Sequence, residues 1–171
     1  MLFFCLGRTH HSPKVPSTSP SRNDKQTANM ELIEKRGFER IRMIGDGNCF
    51  PRALSKAFFG DVNKHHQVRK HVCHWMCNNW VSLKDYHPTL QDQNKVRVYL
   101  EKLVQDKEWV DNDFIYSSAQ AFRCNIQIFQ DGRVQEILTQ FTKEKPTVSV
   151  CFSGNHCDLL QPPRREARLY H

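Results

Sequence analysis

The segments Asp46-Gly47-Asn48-Cys49 and His156-Cys157-Asp158 contain the residues best suited to chemistry in this chain. A cysteine attacks as its thiolate, which is a minor form of a free thiol at neutral pH, so a nucleophilic cysteine needs help from its surroundings. Here a glycine-containing turn precedes Cys49, a helix-like run follows it, and a histidine with a carboxylate two residues on lies far downstream. These types and their order predict thiol-based acyl transfer.

Cys49 stands where a helix is predicted to begin. The run from Phe50 to Phe59 has helical periodicity, and Pro51 suits a first helical turn. A sulfur at a helix start meets unpaired N–H groups that favour an anion. The Asp46–Asn48 turn could add N–H groups around an oxyanion, with Gly47 permitting a backbone shape that a β-carbon obstructs. The alternative is a cysteine that only begins a core helix after an ordinary Asp-Gly turn, and the tetrapeptide alone does not separate the two.

His156 and Asp158 are a candidate base and a candidate acid. Residues i and i+2 of a strand point to the same face, so Asp158 can hold the imidazole while the other ring nitrogen meets the thiol. The alternative is a surface His-x-Asp pair on an edge strand. Asp46 is a second candidate for the orienting acid, although its carboxylate is equally suited to accept N–H groups of its own turn. Cys157 is predicted to point away from the site by strand alternation.

Helical periodicity dominates the first part of the chain, and strand periodicity dominates the last third. Beyond the helix at 50–59, helices are predicted at about 65–81, 91–105 and 113–122, and strands at 38–43, 125–130, 134–138 and 147–152, with a hairpin turn at 131–132. This order indicates an α+β fold in which helices pack on a small, mainly antiparallel sheet.

The two ends of the chain differ in composition from its middle. Residues 9–29 are polar, contain three prolines and lack apolar periodicity, so residues 1–33 are predicted to be a disordered lead. Residues 34–161 are the predicted folded domain, and residues 162–171 are a basic tail. The net charge of +7 is not concentrated in one run, which makes a nucleic-acid partner a weak candidate. No apolar run approaches the ~20 residues needed to cross a bilayer.

Seven cysteines form an odd set without a regular framework, which favours reduced thiols in the cytoplasm or nucleus. Cys73 and Cys77, beside His71 and His74, lack a second ligand pair at zinc-finger spacing, so no metal site is predicted. The three tryptophans are predicted to be buried or half-buried, and an exposed one would mark a partner surface.

The motifs resemble those of the ovarian-tumour (OTU) family of cysteine deubiquitinases. The resemblance rests on Asp46-Gly47-Asn48-Cys49-Phe50 with Arg52-Ala53-Leu54-Ser55, Trp109 ahead of a short helix, Ile126-Gln127-Ile128-Phe129, and Asn155-His156-Cys157-Asp158. It extends over about 34–161. Departures from the family pattern are Pro51, Cys157 and the stretch 109–113, and they concern the substrate channel rather than the catalytic groups.

The resemblance implies a papain-like α+β fold with Cys49 as nucleophile, His156 as general base and Asp158 as the acid that orients it. Asp46, Gly47 and Asn48 would form the oxyanion loop, and Asp46 stays open as the alternative acid. The implied activity is hydrolysis of the isopeptide bond at the C-terminus of ubiquitin or a ubiquitin-like modifier, with no metal or other cofactor. We expect a monomer without membrane attachment, in the cytoplasm or nucleus. The competing hypotheses are a catalytically silent ubiquitin-binding module and a nucleic-acid-binding fragment.

Overall fold

The computed structural model describes residues 21–83, 92–137 and 145–163 of the chain. The helices in these ranges are α1 (Arg22–Lys35), α2 (Cys49–Phe59), α3 (His65–Leu83), α4 (Gln93–Leu103) and α5 (Asn112–Ala121), with a 3₁₀ turn at Val62–Lys64. The strands are β1 (Glu39–Ile41), β2 (Asn125–Gln130), β3 (Arg133–Ile137), β4 (Thr147–Ser153) and β5 (His156–Gln161). The predicted helices and strands of the domain are thus present, with bounds that differ by one to a few residues.

The strands form one sheet in the order β1-β5-β4-β2-β3. Only the β2–β4 pairing is parallel, and the other three pairings are antiparallel, which confirms the predicted α+β fold with a mainly antiparallel sheet. Asp131 and Gly132 both have positive φ, 54° and 71°, as the predicted two-residue hairpin turn requires. At the other hairpin, Ser153 pairs with His156, so that a two-residue turn delivers His156 at the start of β5.

Helix α2 lies at the centre of the fold, against β5 and α3. Phe50, Ala53 and Leu54 are fully buried and form its inner face, because they recur at helical spacing. On the same helix Ala57 is exposed, whereas Ser55 is buried. The Ser55 hydroxyl donates a hydrogen bond to the Asp61 carbonyl, so its burial leaves no unpaired polar group.

Helix α1 contradicts the prediction of a disordered lead up to residue 33. Ser21 and Asp24 form a capping box that begins the helix, and Ile33, only 1% exposed, packs in a cluster with Phe129 and Leu160. The helix buries few residues and is otherwise polar, so its apolar periodicity is too weak to be read in the sequence. Residues 1–20, most of the predicted tail (164–171) and Leu138 lie outside the described residues.

The described helices include none that combines the length and the apolar character needed to span a membrane.

Candidate active site

Cys49 is the first residue of α2 and is 2% exposed. Its sulfur lies 3.9 Å from the carbonyl oxygen of Asn155, the residue before His156, so the β4–β5 turn packs directly against the thiol. Burial raises the pKa of the Cys49 thiol, and hydrogen bonds from the N–H groups of Cys157 and Phe50 act in the opposite direction.

His156 and Asp158 meet on one face of β5, as strand alternation predicts. His156 Nε2 lies 2.9 Å from Asp158 Oδ1. The other ring nitrogen, Nδ1, faces the start of the Cys49 turn, because a β-carbon on Gly45 would come within 3.3 Å of it. Nε2 is therefore committed to the carboxylate, while Nδ1 faces the segment that carries the thiol. Cys157, between them, is fully buried in the main core, on the opposite side of the strand.

Asp158 is 1% exposed and is held by groups from outside its own strand. Arg40 on β1 approaches Asp158 Oδ2 with Nε at 2.7 Å and with a terminal nitrogen at 2.6 Å, and the Met43 N–H donates to Oδ1 at 2.7 Å. Burial alone would raise the pKa of Asp158, but the hydrogen bonds from Met43, Arg40 and His156 outweigh it and hold that pKa below its ordinary value. Asp158 is thus a fixed carboxylate at the back of the imidazole.

Arg40 was not recognised from the sequence. The alternation of residues 38–43 predicts a strand, but strand patterning says nothing about which side chain reaches a carboxylate more than one hundred residues away in the chain.

Asp46 occupies a different place from Asp158. Its Oδ1 accepts the Asn48 N–H at 3.1 Å, and its Oδ2 pairs with Arg52 at 3.0 Å. Burial acts to raise the pKa of Asp46, yet the bonds from Arg52 and Asn48 keep it below the ordinary value. Asp46 therefore stabilises its own turn. The carboxylate that is hydrogen-bonded to His156 is that of Asp158.

At Gly47, any other amino acid would force the surrounding backbone to move. Its φ is +84°, and a β-carbon there would lie 2.0 Å from the Lys107 carbonyl oxygen. The α4–α5 loop thus packs directly on the turn. Because Asp46 accepts the Asn48 N–H, that donor is not available to an oxyanion beside the sulfur.

Arg69, fully buried on α3, supports the same turn from behind. Its guanidinium donates to the Gly47 carbonyl at 2.8 Å, to Asn48 Oδ1 at 2.9 Å, to the Leu103 carbonyl at 2.7 Å and to the Glu108 carbonyl. Burial lowers the pKa of Arg69 from an ordinary value so high that the side chain stays charged. Arg69 thus positions the turn, and this role could not be predicted from the sequence because its partners are mostly backbone carbonyls.

The Asn48 side chain completes the connection to the α4–α5 loop. Its amide nitrogen donates to Asp106 at 2.9 Å, and its oxygen accepts the Lys107 N–H at 3.2 Å in addition to Arg69. Asn48 therefore acts as a link between α2, α3 and the loop. The predicted oxyanion segment is brought together with Cys49 by contacts from three elements.

The two cysteines on α3 differ in exposure. Cys73 is buried, and burial raises its pKa to about 11, whereas Cys77 is exposed. His71 contacts the Ala121 carbonyl, and His74 contacts Asn78. Within the described residues, the group that does have the spacing of metal ligands lies elsewhere, at His65, His66 and Asp106.

Trp109 is 47% exposed, so the prediction that all three tryptophans are buried or half-buried is wrong for this one. It lines a cleft of about 290 Å³ together with Phe152, Gly154 and Asn155. The cleft thus ends at the turn that contacts Cys49. An exposed aromatic beside a nucleophile is a suitable contact surface for an extended substrate segment.

The imidazole of His156 is thus hydrogen-bonded to a fixed carboxylate, and the turn before it packs on the Cys49 sulfur at the start of α2. Such an arrangement can attack a carbonyl, stabilise the oxyanion and protonate a leaving amine. A profile of the OTU-like cysteine protease family matches residues 44–158, which include all three groups.

Among known relatives, the ovarian tumor domain-containing deubiquitinating enzyme 11 of Arabidopsis thaliana is 33% identical over 135 residues. The aligned region covers 75% of this chain and 53% of that protein, so the chain spans about half the length of this relative.

Solved OTU structures share the fold. The OTU domain of OTUD1 superposes with a TM-score of 0.65 at 21% identity, covering 82% of this chain and 99% of that one. The Hazara virus OTU bound to ubiquitin gives a TM-score of 0.59 at 19% identity, covering 78% and 86%. Since the family profile spans most of the chain, from the oxyanion turn to Asp158, the chain belongs to the OTU-like cysteine protease family.

Proposed function

We propose that this chain is a deubiquitinase, which hydrolyses the isopeptide bond at the C-terminus of ubiquitin or a ubiquitin-like modifier. The observation that carries the proposal is the 2.9 Å bond between His156 and Asp158 on a turn that contacts the Cys49 sulfur. Family membership supports a thiol mechanism. Ubiquitin as substrate is supported by the relative named a deubiquitinating enzyme and by the ubiquitin bound to the Hazara virus OTU.

In the first half of the reaction, the Cys49 proton passes to His156 Nδ1 as the sulfur attacks the carbonyl carbon of the terminal glycine. Asp158 stabilises the imidazolium that forms and keeps its ring oriented. The oxyanion takes hydrogen bonds from the N–H groups of Gly47 and Cys49. Collapse of the tetrahedral intermediate breaks the C–N bond, and His156 gives its proton to the leaving lysine amine.

In the second half, water attacks the thioester carbonyl and gives a proton to His156. The C–S bond then breaks, the thiol of Cys49 is restored, and ubiquitin leaves with a free carboxylate. No step calls for a metal or an organic cofactor, because the thiol, imidazole and backbone donors supply the nucleophile, the base and the charge stabilisation.

The Trp109 cleft supports the substrate assignment. It is open, borders Asn155 and has an aromatic side chain as one wall. We place in it the extended C-terminal tail of the modifier, which must reach the Cys49 sulfur in a narrow, unfolded form.

The test uses a ubiquitin probe with a C-terminal electrophile, together with a panel of di-ubiquitins. The wild-type chain is expected to form a covalent adduct located at Cys49 by mass spectrometry and to cleave at least one di-ubiquitin. Cys49→Ala and His156→Ala should abolish cleavage, whereas Asp158→Ala should weaken it. Cys77→Ala is the matched control, because Cys77 is an exposed cysteine of the same domain.

Three results would contradict the proposal. Cleavage by Cys49→Ala would remove the nucleophile from the mechanism. An adduct on Cys77 instead of Cys49 would mean that exposure alone decides labelling. Ubiquitin binding without adduct or cleavage by fresh, reduced protein would instead favour a silent ubiquitin-binding module.

We further propose a monomeric protein of the cytoplasm or nucleus. The six described cysteines are all free, which supports a reducing compartment.

A further inference from the structure

His65, His66 and Asp106 form a cluster of potential metal ligands beside Asn48 of the oxyanion turn. The two histidines begin α3, and Asp106 lies in the α4–α5 loop. His65 Nε2 is 3.7 Å and His66 Nδ1 is 3.8 Å from Asp106 Oδ1. All three candidate ligand atoms lie within 4.8 Å of one another.

His65 is oriented as a metal ligand would be. Its Nδ1 lies 3.1 Å from the Val62 carbonyl and 3.3 Å from an Arg52 nitrogen, and in the tautomer that donates to the carbonyl the lone pair is on Nε2. Metal-binding histidines commonly donate their second ring nitrogen to a backbone carbonyl in this way. The His65 side chain is only 6% exposed, yet Nε2 stays beyond hydrogen-bond distance of Asp106. A buried imidazole nitrogen thus lies next to a carboxylate without a hydrogen bond to it.

The charges around the cluster permit a cation. Arg52 lies on the Nδ1 side of the His65 ring, 3.3 Å away, and is itself paired with Asp46. Asp106 supplies a carboxylate between the two histidines.

We propose that His65 Nε2, His66 Nδ1 and the Asp106 carboxylate bind a divalent transition-metal ion with the ligand preference of Zn²⁺. Two imidazoles and one carboxylate are a usual three-residue set for zinc, with water in the fourth position. Zinc bonds of about 2.0–2.2 Å place tetrahedral ligands about 3.3 Å apart. The two histidine–Asp106 separations must therefore close by about half an ångström, and the two imidazole nitrogens, which lie within 4.8 Å of each other, by up to about 1.5 Å. The exposed side chains of His66 and Asp106 can make that movement and leave an entry path.

Such a site would join the start of α3 to the α4–α5 loop. Asp106 also accepts the amide of Asn48, so a bound ion would fasten the loop that packs on Gly47. The site goes beyond the proposed hydrolysis, because it needs neither Cys49 nor His156.

The experiment titrates Zn²⁺ by calorimetry into the full chain carrying Cys49→Ala and Cys77→Ala, which removes the nucleophilic thiol and the exposed thiol as competing ligands. We expect one Zn²⁺ per chain and a rise in Tm on binding. His66→Ala in this background should weaken binding at least about tenfold, since changes in outer-shell partners alone cost about 10–100-fold. Asp106→Asn, which keeps an oxygen for Asn48, should also weaken binding.

His74→Ala is the matched control, because His74 is an exposed histidine of the same helix. It should leave the Zn²⁺ affinity unchanged. Failure of the background protein to bind Zn²⁺ would overturn the proposal, as would unchanged binding by His66→Ala and Asp106→Asn. Equal loss in His74→Ala would also overturn it, because binding would then be general to surface histidines. Circular dichroism without metal shows whether each variant is folded, and since the background lacks Cys49, none of these outcomes bears on the proposed hydrolysis.

Discussion

Replacement of Arg40 by alanine should destabilise the chain in a pH-dependent way, because Arg40 is the cationic partner of a buried carboxylate. Asp158 is 1% exposed, and Arg40 reaches it at 2.7 Å and 2.6 Å. Removing one partner of a buried pair costs about 3–5 kcal/mol, since the other charge is left without its compensation.

Two features of the structure reduce that figure. The Arg40 side chain is 29% exposed, so water can replace part of the guanidinium, and Asp158 keeps its bonds to the Met43 N–H and to His156. Charge-assisted hydrogen bonds each contribute about 1.5–3 kcal/mol, so we expect Arg40→Ala to lower the free energy of unfolding by about 2–3 kcal/mol at pH 7. Arg40→Lys should lower the unfolding free energy by less than Arg40→Ala, because lysine keeps the positive charge although it lacks the planar guanidinium.

The sign of the pH dependence follows from the lowered pKa of Asp158. A carboxylate whose pKa is lower in the folded state contributes stability above its unfolded pKa of about 3.9 and loses it as the pH falls through the folded value. Arg40 is a main source of that contribution. The difference in unfolding free energy between wild type and Arg40→Ala should therefore be constant between pH 5.5 and pH 7.5 and should narrow as the pH falls below about 4.

Urea unfolding followed by tryptophan fluorescence, at steps from pH 7.5 to pH 3.5, measures this difference. Arg42→Ala is the control, since Arg42 is an exposed arginine two residues on. A gap that does not change with pH, or an equal loss in Arg42→Ala, would refute the argument that Arg40 acts through the Asp158 charge. On the proposed function, Arg40→Ala should also slow probe labelling of Cys49 more than Arg42→Ala does.

Three further substitutions test the supports of the site. Gly47→Ala should abolish probe labelling and lower Tm, because its β-carbon would collide with a backbone carbonyl. The control is Gly60→Ala, at φ +70° with open space around it, which should lower the unfolding free energy by only about 1–2 kcal/mol and leave labelling intact. Arg69→Met should lower the unfolding free energy by more than about 3 kcal/mol, because it leaves buried carbonyl acceptors unpaired. If the loss is as small as that of Lys70→Met, at an exposed neighbouring position, Arg69 does not support the turn. Ile33→Ala should cost about 2–4 kcal/mol by urea unfolding if α1 is part of the domain, and a cost near zero would restore the predicted boundary at residue 34.

Local patterning was sufficient to predict the elements that carry Cys49, His156 and Asp158. The thiol begins a helix whose apolar residues repeat at helical spacing, and the imidazole and carboxylate are two residues apart on a strand, so each expectation needed only a few neighbouring residues. Helix α1 was not predicted, because it lacks such a local pattern. It depends on one fully buried isoleucine and a cap, and most of its surface is polar, so its helix state is decided by contact with the sheet.

The supporting arginines could not be predicted, because their roles are defined by distant parts of the chain. Arg40 binds a carboxylate from the last strand, and Arg69 binds carbonyls from the turn and from the α4–α5 loop. Neither residue differs in the sequence from an ordinary surface arginine. Arg69 differs from an ordinary surface arginine in the structure, where its side chain is fully buried.

The roles of the two candidate acids are separated by what each carboxylate already holds. Asp46 accepts the Asn48 N–H, which removes that donor from the oxyanion site but turns the Gly47–Asn48 peptide so that its carbonyl meets Arg69. Asp158 has Oδ2 paired with Arg40 and shares Oδ1 between the Met43 N–H and His156. The site therefore contains two acid–arginine pairs, of which one holds the turn before the thiol and the other holds His156.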